Sequence, residues 1–325
     1  MKKLILLFSL AGTFNLGCAE TKPISLSVLP QFKLQLADTS QITHKFLNLA
    51  YANSSPAQKL DIYLPNQPSA TKFPVIISIH GGGFAMGDKG DGQLTPMLEG
   101  LKHGFAVVSV NYRLTSEAKF PAQINDVKQA IRFIRANANK YKLDPDHVVI
   151  WGGSAGGNLA ALVATSGNDK NFITESAYVN YSDNVQLAID WFGPIDFTQM
   201  DAQFRASGLG NADHNQINSP EAKLLGGQPS QLNAIAQQAN PTSYINLTTP
   251  PILIEHGNCD NMVPVQQSVN FYQALIGQTN RPQDYQLVIL DGAKHGGEQF
   301  NSATNLDLVF KFINNHLFLQ QNKEN

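Results

Sequence analysis

The amino-acid sequence predicts an α/β fold in which a mostly parallel sheet carries helices on both faces. Two observations lead to this prediction. Several short segments are apolar at nearly every position, which is typical of strands that are buried on both sides. These segments alternate with stretches whose apolar residues recur at helical spacing, a pattern that indicates parallel strands joined by crossing helices. The 325 residues, 42% of them hydrophobic, are enough for one large domain.

The predicted strands and helices follow one another along most of the chain. We predict strands over residues 60–64, 75–80, 105–112, 148–151, 185–192, 252–256 and 285–290. One helix begins after Pro121, a second follows Ser154, and a third begins at Pro264 and ends near Gly277. A closing amphipathic helix has its apolar residues on one face: Leu306, Val309, Phe310, Ile313 and Leu317.

Two segments depart from this alternation. Residues 196–243 are rich in Gln, Asn, Ser and Ala, and they are too long for an ordinary connection. We predict a small helical cap insertion there, with a surface loop as the alternative. Residues 20–55 mix polar and apolar positions without a clear period, and we expect them to form an arm that wraps around the domain.

Residues 1–19 have the pattern of a bacterial signal peptide. Lys2 and Lys3 precede a short apolar stretch over residues 4–14, which is too short to span a membrane, and small residues lead up to Ala19. Cleavage after Ala19 would leave residues 20–325 as the folded domain, in the periplasm or secreted. The alternative is a lipid anchor on Cys18, because residues 16–18 resemble the end of a lipoprotein box; Asn15 departs from that box, which favours soluble export.

Composition and charge exclude several classes of function. The formal net charge is −2 and no basic cluster occurs, so we expect no nucleic-acid partner. No later segment has the continuous apolar length of a membrane span, and we expect none in the mature chain. No His/Cys spacing suggests a metal site, and we expect neither a metal nor a cofactor. The sequence does not determine the oligomeric state.

A Gly-x-Ser-x-Gly motif at residues 152–156 predicts an enzymatic nucleophile. An apolar run leads into the motif and a helix of small residues follows it, which indicates a strand, a very tight turn and a helix. Such a turn exposes Ser154 at its apex and needs neighbours without bulky side chains. Ser154 would also lie just before a helix N-terminus, where backbone N–H groups favour negative charge.

A second motif, His-Gly-Gly-Gly at residues 80–83, ends an earlier buried strand. Glycines in such a loop can turn their N–H groups into a common cavity. We predict that Gly82, Gly83 and Ala155 form an oxyanion hole beside Ser154.

A serine hydroxyl needs a base, and the base needs an acid that orients it. His295 is the candidate base, because it lies in a glycine-flanked loop after the last predicted strand. Asp260, in the loop after the preceding strand, is the first choice of acid; Asp196 is the runner-up, and Asp291 is assigned to a turn. We interpret His256, at a strand end before a glycine, as a structural residue.

These motifs together resemble the α/β-hydrolase superfamily. The resemblance rests on His-Gly-Gly-Gly-Phe at 80–84, Asn-Tyr-Arg-Leu at 111–114, Gly-Ser-Ala-Gly-Gly-Asn at 153–158 and His-Gly-x-x-Asp-x-x-Val-Pro at 256–264. It spans roughly residues 55–318 and is closest to hormone-sensitive-lipase-like esterases and a bacterial carbohydrate-esterase and feruloyl-esterase-like branch. Segments 60–65, 192–197 and 219–227 favour that second branch, as does Gly153, where the first group often has an acidic residue.

The resemblance implies a serine esterase with Ser154, Asp260 and His295 as its catalytic triad. We expect an acyl-enzyme mechanism on small esters, or on carbohydrate or phenolic esters, with no cofactor. An amidase or peptidase using the same triad is the alternative within enzymes, and a non-catalytic binding protein of the same fold is the alternative outside them.

Overall fold

The computed structural model describes residues 35–67, 69–172 and 178–318, which belong to one compact unit. The predicted signal peptide at residues 1–19 lies outside the described residues. Within them, eight strands form one sheet in the order β1-β2-β4-β3-β5-β6-β7-β8. The strands are β1 (Lys45–Ala50), β2 (Lys59–Tyr63), β3 (Phe73–Ile79), β4 (Ala106–Val110), β5 (Leu143–Gly153), β6 (Leu187–Trp191), β7 (Ile252–Gly257) and β8 (Tyr285–Leu290).

The sheet is mostly parallel, as predicted. Only the pairs β1–β2 and β2–β4 are antiparallel among the described strands, and the other five pairs, from β4–β3 to β7–β8, are parallel. Since parallel strands end at the same edge, the loops after β3, β5, β7 and β8 leave the sheet on one side. The predicted motifs lie in those loops.

All seven predicted strands are present, and the structure adds β1. This strand lies within the predicted arm and was missed because it is an edge strand with mostly exposed side chains, and Asn48 interrupts its apolar residues. A bulge between Phe46 and Leu49 further breaks its pattern, with Asn48 at a positive φ of 57°.

Helices cover both faces of the sheet. Within β3, Val75, Ile77 and Ile79 belong to one buried cluster while Ile76 belongs to the other, as the two-residue period of a strand requires. The first cluster includes the apolar faces of α2, α3 and α7, and the second includes those of α1 and α9. These helices are α1 (Thr95–Leu98), α2 (Ala122–Ala136), α3 (Ala155–Thr165), α7 (Gln266–Thr279) and α9 (Ala303–Leu317).

Three short helices follow β6 in the segment that the sequence separates from the α/β rhythm. They are α4 (Met200–Ser207), α5 (Pro220–Leu225) and α6 (Asn233–Gln238), and a further short helix, α8 (Glu298–Asn301), precedes α9. Ser219 caps α5 by accepting a hydrogen bond from the Ala222 N–H, and Pro220 occupies the first turn.

None of the helices in residues 35–67, 69–172 and 178–318 has the length and hydropathy needed to cross a bilayer.

Candidate active site

Ser154 lies at the apex of a tight turn between β5 and α3. Its backbone has φ 57° and ψ −124°, its N–H donates to the Trp191 carbonyl at 2.8 Å, and its own carbonyl accepts from the Asn158 N–H. The flanking glycines have no room for a side chain. A Cβ on Gly152 would lie 2.2 Å from the Gly156 oxygen, and one on Gly156 would lie 2.1 Å from the Ile79 oxygen. The turn therefore presents the serine side chain beyond the end of a central strand.

The side chains of Ser154, His295 and Asp260 form one hydrogen-bonded chain. Ser154 Oγ lies 2.8 Å from His295 Nε2, and His295 Nδ1 lies 2.8 Å from Asp260 Oδ2. The three residues come from the loops after β5, β8 and β7. Because a carboxylate only accepts, Nδ1 carries the proton and Nε2 of the neutral ring is free to accept the serine proton.

The Asp260 carboxylate is buried and held by four donors. Oδ1 accepts the N–H groups of Met262 at 2.8 Å and Val263 at 2.9 Å, while Oδ2 accepts from His295 and from His256 Nε2 at 3.1 Å. Burial by itself would raise the pKa of Asp260, but the hydrogen bonds from the two histidines outweigh it and hold that pKa well below its usual range. The acid is therefore ionised at neutral pH.

The glycine loop after β3 lies against Ser154. Gly82 and Gly83 have positive φ values of 100° and 59°, and the Gly82 carbonyl accepts from two N–H groups further along the loop. A Cβ on Gly81 would lie 3.2 Å from Ser154 Cβ, while the Gly81 N–H donates to Gln93 Oε1. The structure thus brings this loop beside the serine at Gly81, and Ala155 follows the serine as the first residue of α3.

The other candidate acids have different partners. Asp196 Oδ1 accepts from the backbone N–H and the hydroxyl of Thr198, at 3.0 and 2.6 Å, and so stabilises its own turn. Asp291 Oδ1 accepts from the Asn258 side chain at 2.8 Å in an exposed turn. Across the part of the chain that the structure describes, no group of three or more His, Cys, Asp or Glu residues is arranged to hold a metal ion.

Sequence reasoning missed two contacts that shape the site. The Phe192 ring packs edge-on against the His295 imidazole, with centroids 4.7 Å apart, and Phe192 itself has a positive φ of 45°. Pro220 of α5 comes within 3.1 Å of the position that a Cβ on Gly83 would occupy. Phe192 is the last residue of a predicted strand, which is a weak signal; no signal in the sequence places Pro220 near Gly83.

The second contact of Asp260, with His256, was also not predicted. His256 is fully buried on β7, and the sequence places it at a strand end four residues before the acid. That spacing is the one signal that indicates the contact.

A comparison with protein families finds a match to the BD-FAE family over residues 60–275. Among curated proteins, the chain is 32% identical to "Probable carboxylic ester hydrolase LipM" and 31% identical to "Esterase LipQ", both from Mycobacterium tuberculosis. The matches cover 73% and 70% of this chain but only 53% and 52% of those proteins. The chain therefore spans about half the length of these curated relatives.

Solved structures with the same fold carry related names. A "Truncated form of carbohydrate esterase from gut microbiota" has a TM-score of 0.75 at 29% identity, covering 87% of this chain and 99% of that one. A bifunctional GH43-CE protein of Bacteroides eggerthii has a TM-score of 0.74 at 34% identity, covering 84% and 35%. Butyrate-bound Est2, an esterase of Thermogutta terrifontis, has a TM-score of 0.65 at 25% identity, covering 82% and 92%.

Proposed function

Because this chain belongs to the BD-FAE family of α/β-hydrolases, we propose that it is a serine esterase that hydrolyses carboxylic esters. The observation that carries the proposal is the hydrogen-bonded chain from Ser154 through His295 to Asp260, with both links at 2.8 Å. A nucleophile, a base and an orienting acid in this order are the parts that acyl transfer needs.

In the proposed reaction, Ser154 Oγ attacks the ester carbonyl carbon while its proton passes to His295 Nε2. The tetrahedral intermediate then collapses: the bond to the alcohol oxygen breaks, and His295 returns the proton to that oxygen as the alcohol leaves. Water attacks the acyl-enzyme in the same way, with His295 taking and returning the proton, so that the carboxylic acid leaves and the serine is restored. Asp260 fixes the imidazole tautomer and stabilises its charged form.

We assign the oxyanion hole to the N–H groups of Gly82, Gly83 and Ala155. The support is the position of the glycine loop against Ser154 and the place of Ala155 at the start of α3. Each such donor is worth about 3 kcal/mol of transition-state stabilisation. The Gly81 N–H is not assigned to the hole, since it donates to Gln93.

The proposed substrates are small esters or esters of carbohydrates or phenolic acids. Solved relatives named as carbohydrate esterases support the carbohydrate class. The contact of Pro220 with Gly83 supports a substrate-shaping role for the predicted cap at residues 196–243. The exposed apolar side chain of Met86 lies near Gly82 and offers a contact to an apolar acyl or phenolic group.

A kinetic panel tests this proposal. The wild-type protein and a Ser154→Ala variant are assayed on p-nitrophenyl esters of several chain lengths, an acetylated sugar, a feruloyl ester and a matched p-nitroanilide. We expect ester turnover by the wild type alone. Faster turnover of the anilide would favour an amidase or peptidase, and equal activity of the two proteins would overturn the assignment of Ser154.

We also propose that the protein is exported, on the basis of the charged and apolar pattern of residues 1–19. Determination of the N-terminus of the protein recovered from expressing cells tests this. A start at Glu20 would support cleavage after Ala19, whereas a blocked, acylated start at Cys18 would support a lipid anchor. A retained Met1 would contradict export.

A further inference from the structure

Asp260 has a second imidazole partner that the proposed mechanism does not use. His256 Nε2 lies 3.1 Å from Asp260 Oδ2, the same oxygen that lies 2.8 Å from His295 Nδ1. Both residues are buried, with exposed fractions of 0% for His256 and 1% for Asp260. We propose that His256 is a positioning residue that holds the Asp260 carboxylate in the orientation His295 requires, an inference that rests on the proposed function.

The hydrogen-bond network assigns the proton on His256. Its Nε2 faces two acceptors, the Asp260 carboxylate and the Val263 carbonyl oxygen at 3.0 Å, so this nitrogen carries a hydrogen. Its Nδ1 lies 2.7 Å from the hydroxyl of Ser268, which is buried on α7. The two acceptors therefore select the tautomer that donates to Asp260, and in the neutral ring Nδ1 accepts from the Ser268 hydroxyl, which helps to hold the ring in place.

Shared donation to Oδ2 has two consequences for His295. It fixes the rotation of the carboxylate, because Oδ1 is held by backbone N–H groups and Oδ2 by two imidazoles. It also weakens Oδ2 as an acceptor for His295 alone. Without His256, the carboxylate loses a contact that fixes its rotation, which lowers kcat. Oδ2 also loses a competing donor and bonds more strongly to the His295 Nδ1–H, which favours the protonated ring and moves the acid limb of kcat/KM to higher pH.

Two further carboxylates lie near His256, one on the neighbouring strand β6 and one on β7 itself. Asp190 of β6 interacts electrostatically with His256, and burial raises the pKa of Asp190 to about 6 despite a hydrogen bond from the Gly193 N–H. Glu255 precedes His256 on β7 and contacts Asn305 of α9, on the opposite face of the sheet. An Asp190→Asn variant is therefore needed to identify any part of the acid limb that belongs to Asp190.

A matched set of variants tests the proposal. His256→Leu removes the donor, His256→Gln keeps an N–H at the position of Nε2, and Ser268→Ala removes the hydroxyl that donates to His256 Nδ1. Thr279→Val is the control, because Thr279 is a second buried hydroxyl on α7 and donates to the Leu275 carbonyl of its own helix. For each variant, kcat, KM and the pH profile are measured on a p-nitrophenyl ester, and folding is checked by thermal unfolding.

We expect His256→Leu to lower kcat about 10- to 100-fold, the range seen when a supporting hydrogen-bond partner is removed, with KM nearly unchanged. Its acid limb should move to higher pH, and this shift should persist in the Asp190→Asn background. His256→Gln should recover most of the lost kcat, Ser268→Ala should lower kcat about threefold to tenfold, and Thr279→Val should match the wild type.

A folded His256→Leu variant with wild-type kcat and an unmoved acid limb would overturn the proposal. If that variant does not fold, the comparison of Ser268→Ala with Thr279→Val decides, and equal kcat values would overturn it. Labelling of Ser154 by a fluorophosphonate separates failure of the proposed function from failure of the role proposed for His256. A wild-type protein that neither labels nor hydrolyses esters would overturn the proposed function together with this inference, whereas active protein with unaffected variants would overturn this inference alone.

Discussion

Ser154 holds a backbone conformation that residues with a side chain rarely adopt, with φ at 57°. Such a conformation costs on the order of 1–3 kcal/mol and persists only where surrounding contacts enforce it. Here the N–H bond to the Trp191 carbonyl and the close approach of Gly152 and Gly156 enforce it. The strain keeps the hydroxyl exposed toward His295 rather than folded back onto its own backbone.

Asp260→Asn tests the role of Asp260 as the acid that orients His295. In this variant the amide oxygen is held by the N–H groups of Met262 and Val263, so the NH2 group faces His295 Nδ1 and favours the wrong tautomer. We therefore expect kcat to fall by about 10⁴-fold. Asp196→Asn and Asp291→Asn are the controls, because those carboxylates bond to Thr198 and Asn258. Both controls should stay within about threefold of the wild type; a larger loss in Asp196→Asn than in Asp260→Asn would contradict the assignment.

Motifs in the sequence were sufficient to select Ser154, His295 and Asp260, whose side chains the structure brings into one hydrogen-bonded chain. They were sufficient because each motif follows a strand, and parallel strands end at one edge of the sheet. The contact of His256 with Asp260 was not predicted, since a histidine before a glycine at a strand end is equally compatible with simple packing. Which atoms share an acceptor depends on side-chain geometry that spacing does not determine.

At the scale of elements, the turn that carries Ser154 is joined to the neighbouring strand through glycines. A Cβ on Gly156, in the first turn of α3, would lie 2.1 Å from the Ile79 carbonyl oxygen of β3. This close approach sets the distance between the helix start and the loop that holds Gly82 and Gly83. The glycine motif therefore maintains the spacing between two elements as well as the shape of the turn.

Gly156→Ala should consequently destabilise the fold by about 3 kcal/mol, because the clash is with backbone atoms that cannot rotate away. Gly277→Ala is the matched control: it lies within α7, a Cβ there meets nothing within 4 Å, and alanine favours a helix by about 1 kcal/mol. Chemical denaturation of both variants measures the difference. Equal stabilities would show that the close approach at Gly156 is not required.

Seven strands were predictable from apolar runs or, for β2, from alternation, whereas β1 was not, because it is exposed and carries a bulge. The helices α2, α3, α7 and α9 followed from helical periodicity and from proline or serine at their starts. The order and lengths of α4 to α6 did not follow, since these short helices lie in a polar segment without a long apolar period.

At the scale of the whole molecule, two buried carboxylates make the stability depend on pH. Burial raises the pKa of Asp190 from 3.8 to about 6 and that of Glu255 from 4.5 to about 7. Each of these carboxyl groups therefore stays protonated to a higher pH in the folded state than in the unfolded chain. The stability that each of these two groups contributes is fully present below its unfolded pKa and is lost as the pH rises through its folded pKa, by about 3 kcal/mol for each group.

Asp190→Asn and Glu255→Gln should flatten this dependence, each over the window of its own group. Both substitutions keep an oxygen for the existing donors, Gly193 N–H and Asn305 Nδ2. Unfolding curves measured from pH 4 to pH 8 should show each variant gaining stability relative to the wild type as the pH rises. Curves that run parallel to the wild type would contradict the assignment of these two carboxylates.

The candidate site is assembled from loops that are far apart in the chain. The match to the BD-FAE family covers residues 60–275 and so includes Ser154 and Asp260, but it ends before His295. The placement of His295 beside Ser154 therefore rests on the structure of the last strand and its loop. A test of the whole site must therefore measure the reactivity of Ser154 and its dependence on His295.

Mass spectrometry of the protein after reaction with a fluorophosphonate tests the central claim most directly. We expect one adduct per chain, located on the peptide that contains Ser154, with labelling lost in Ser154→Ala and strongly slowed in His295→Ala while both variants remain folded. A chain that stays unlabelled, or an adduct on another residue that persists in Ser154→Ala, would contradict the proposal that Ser154 is the nucleophile of a serine esterase.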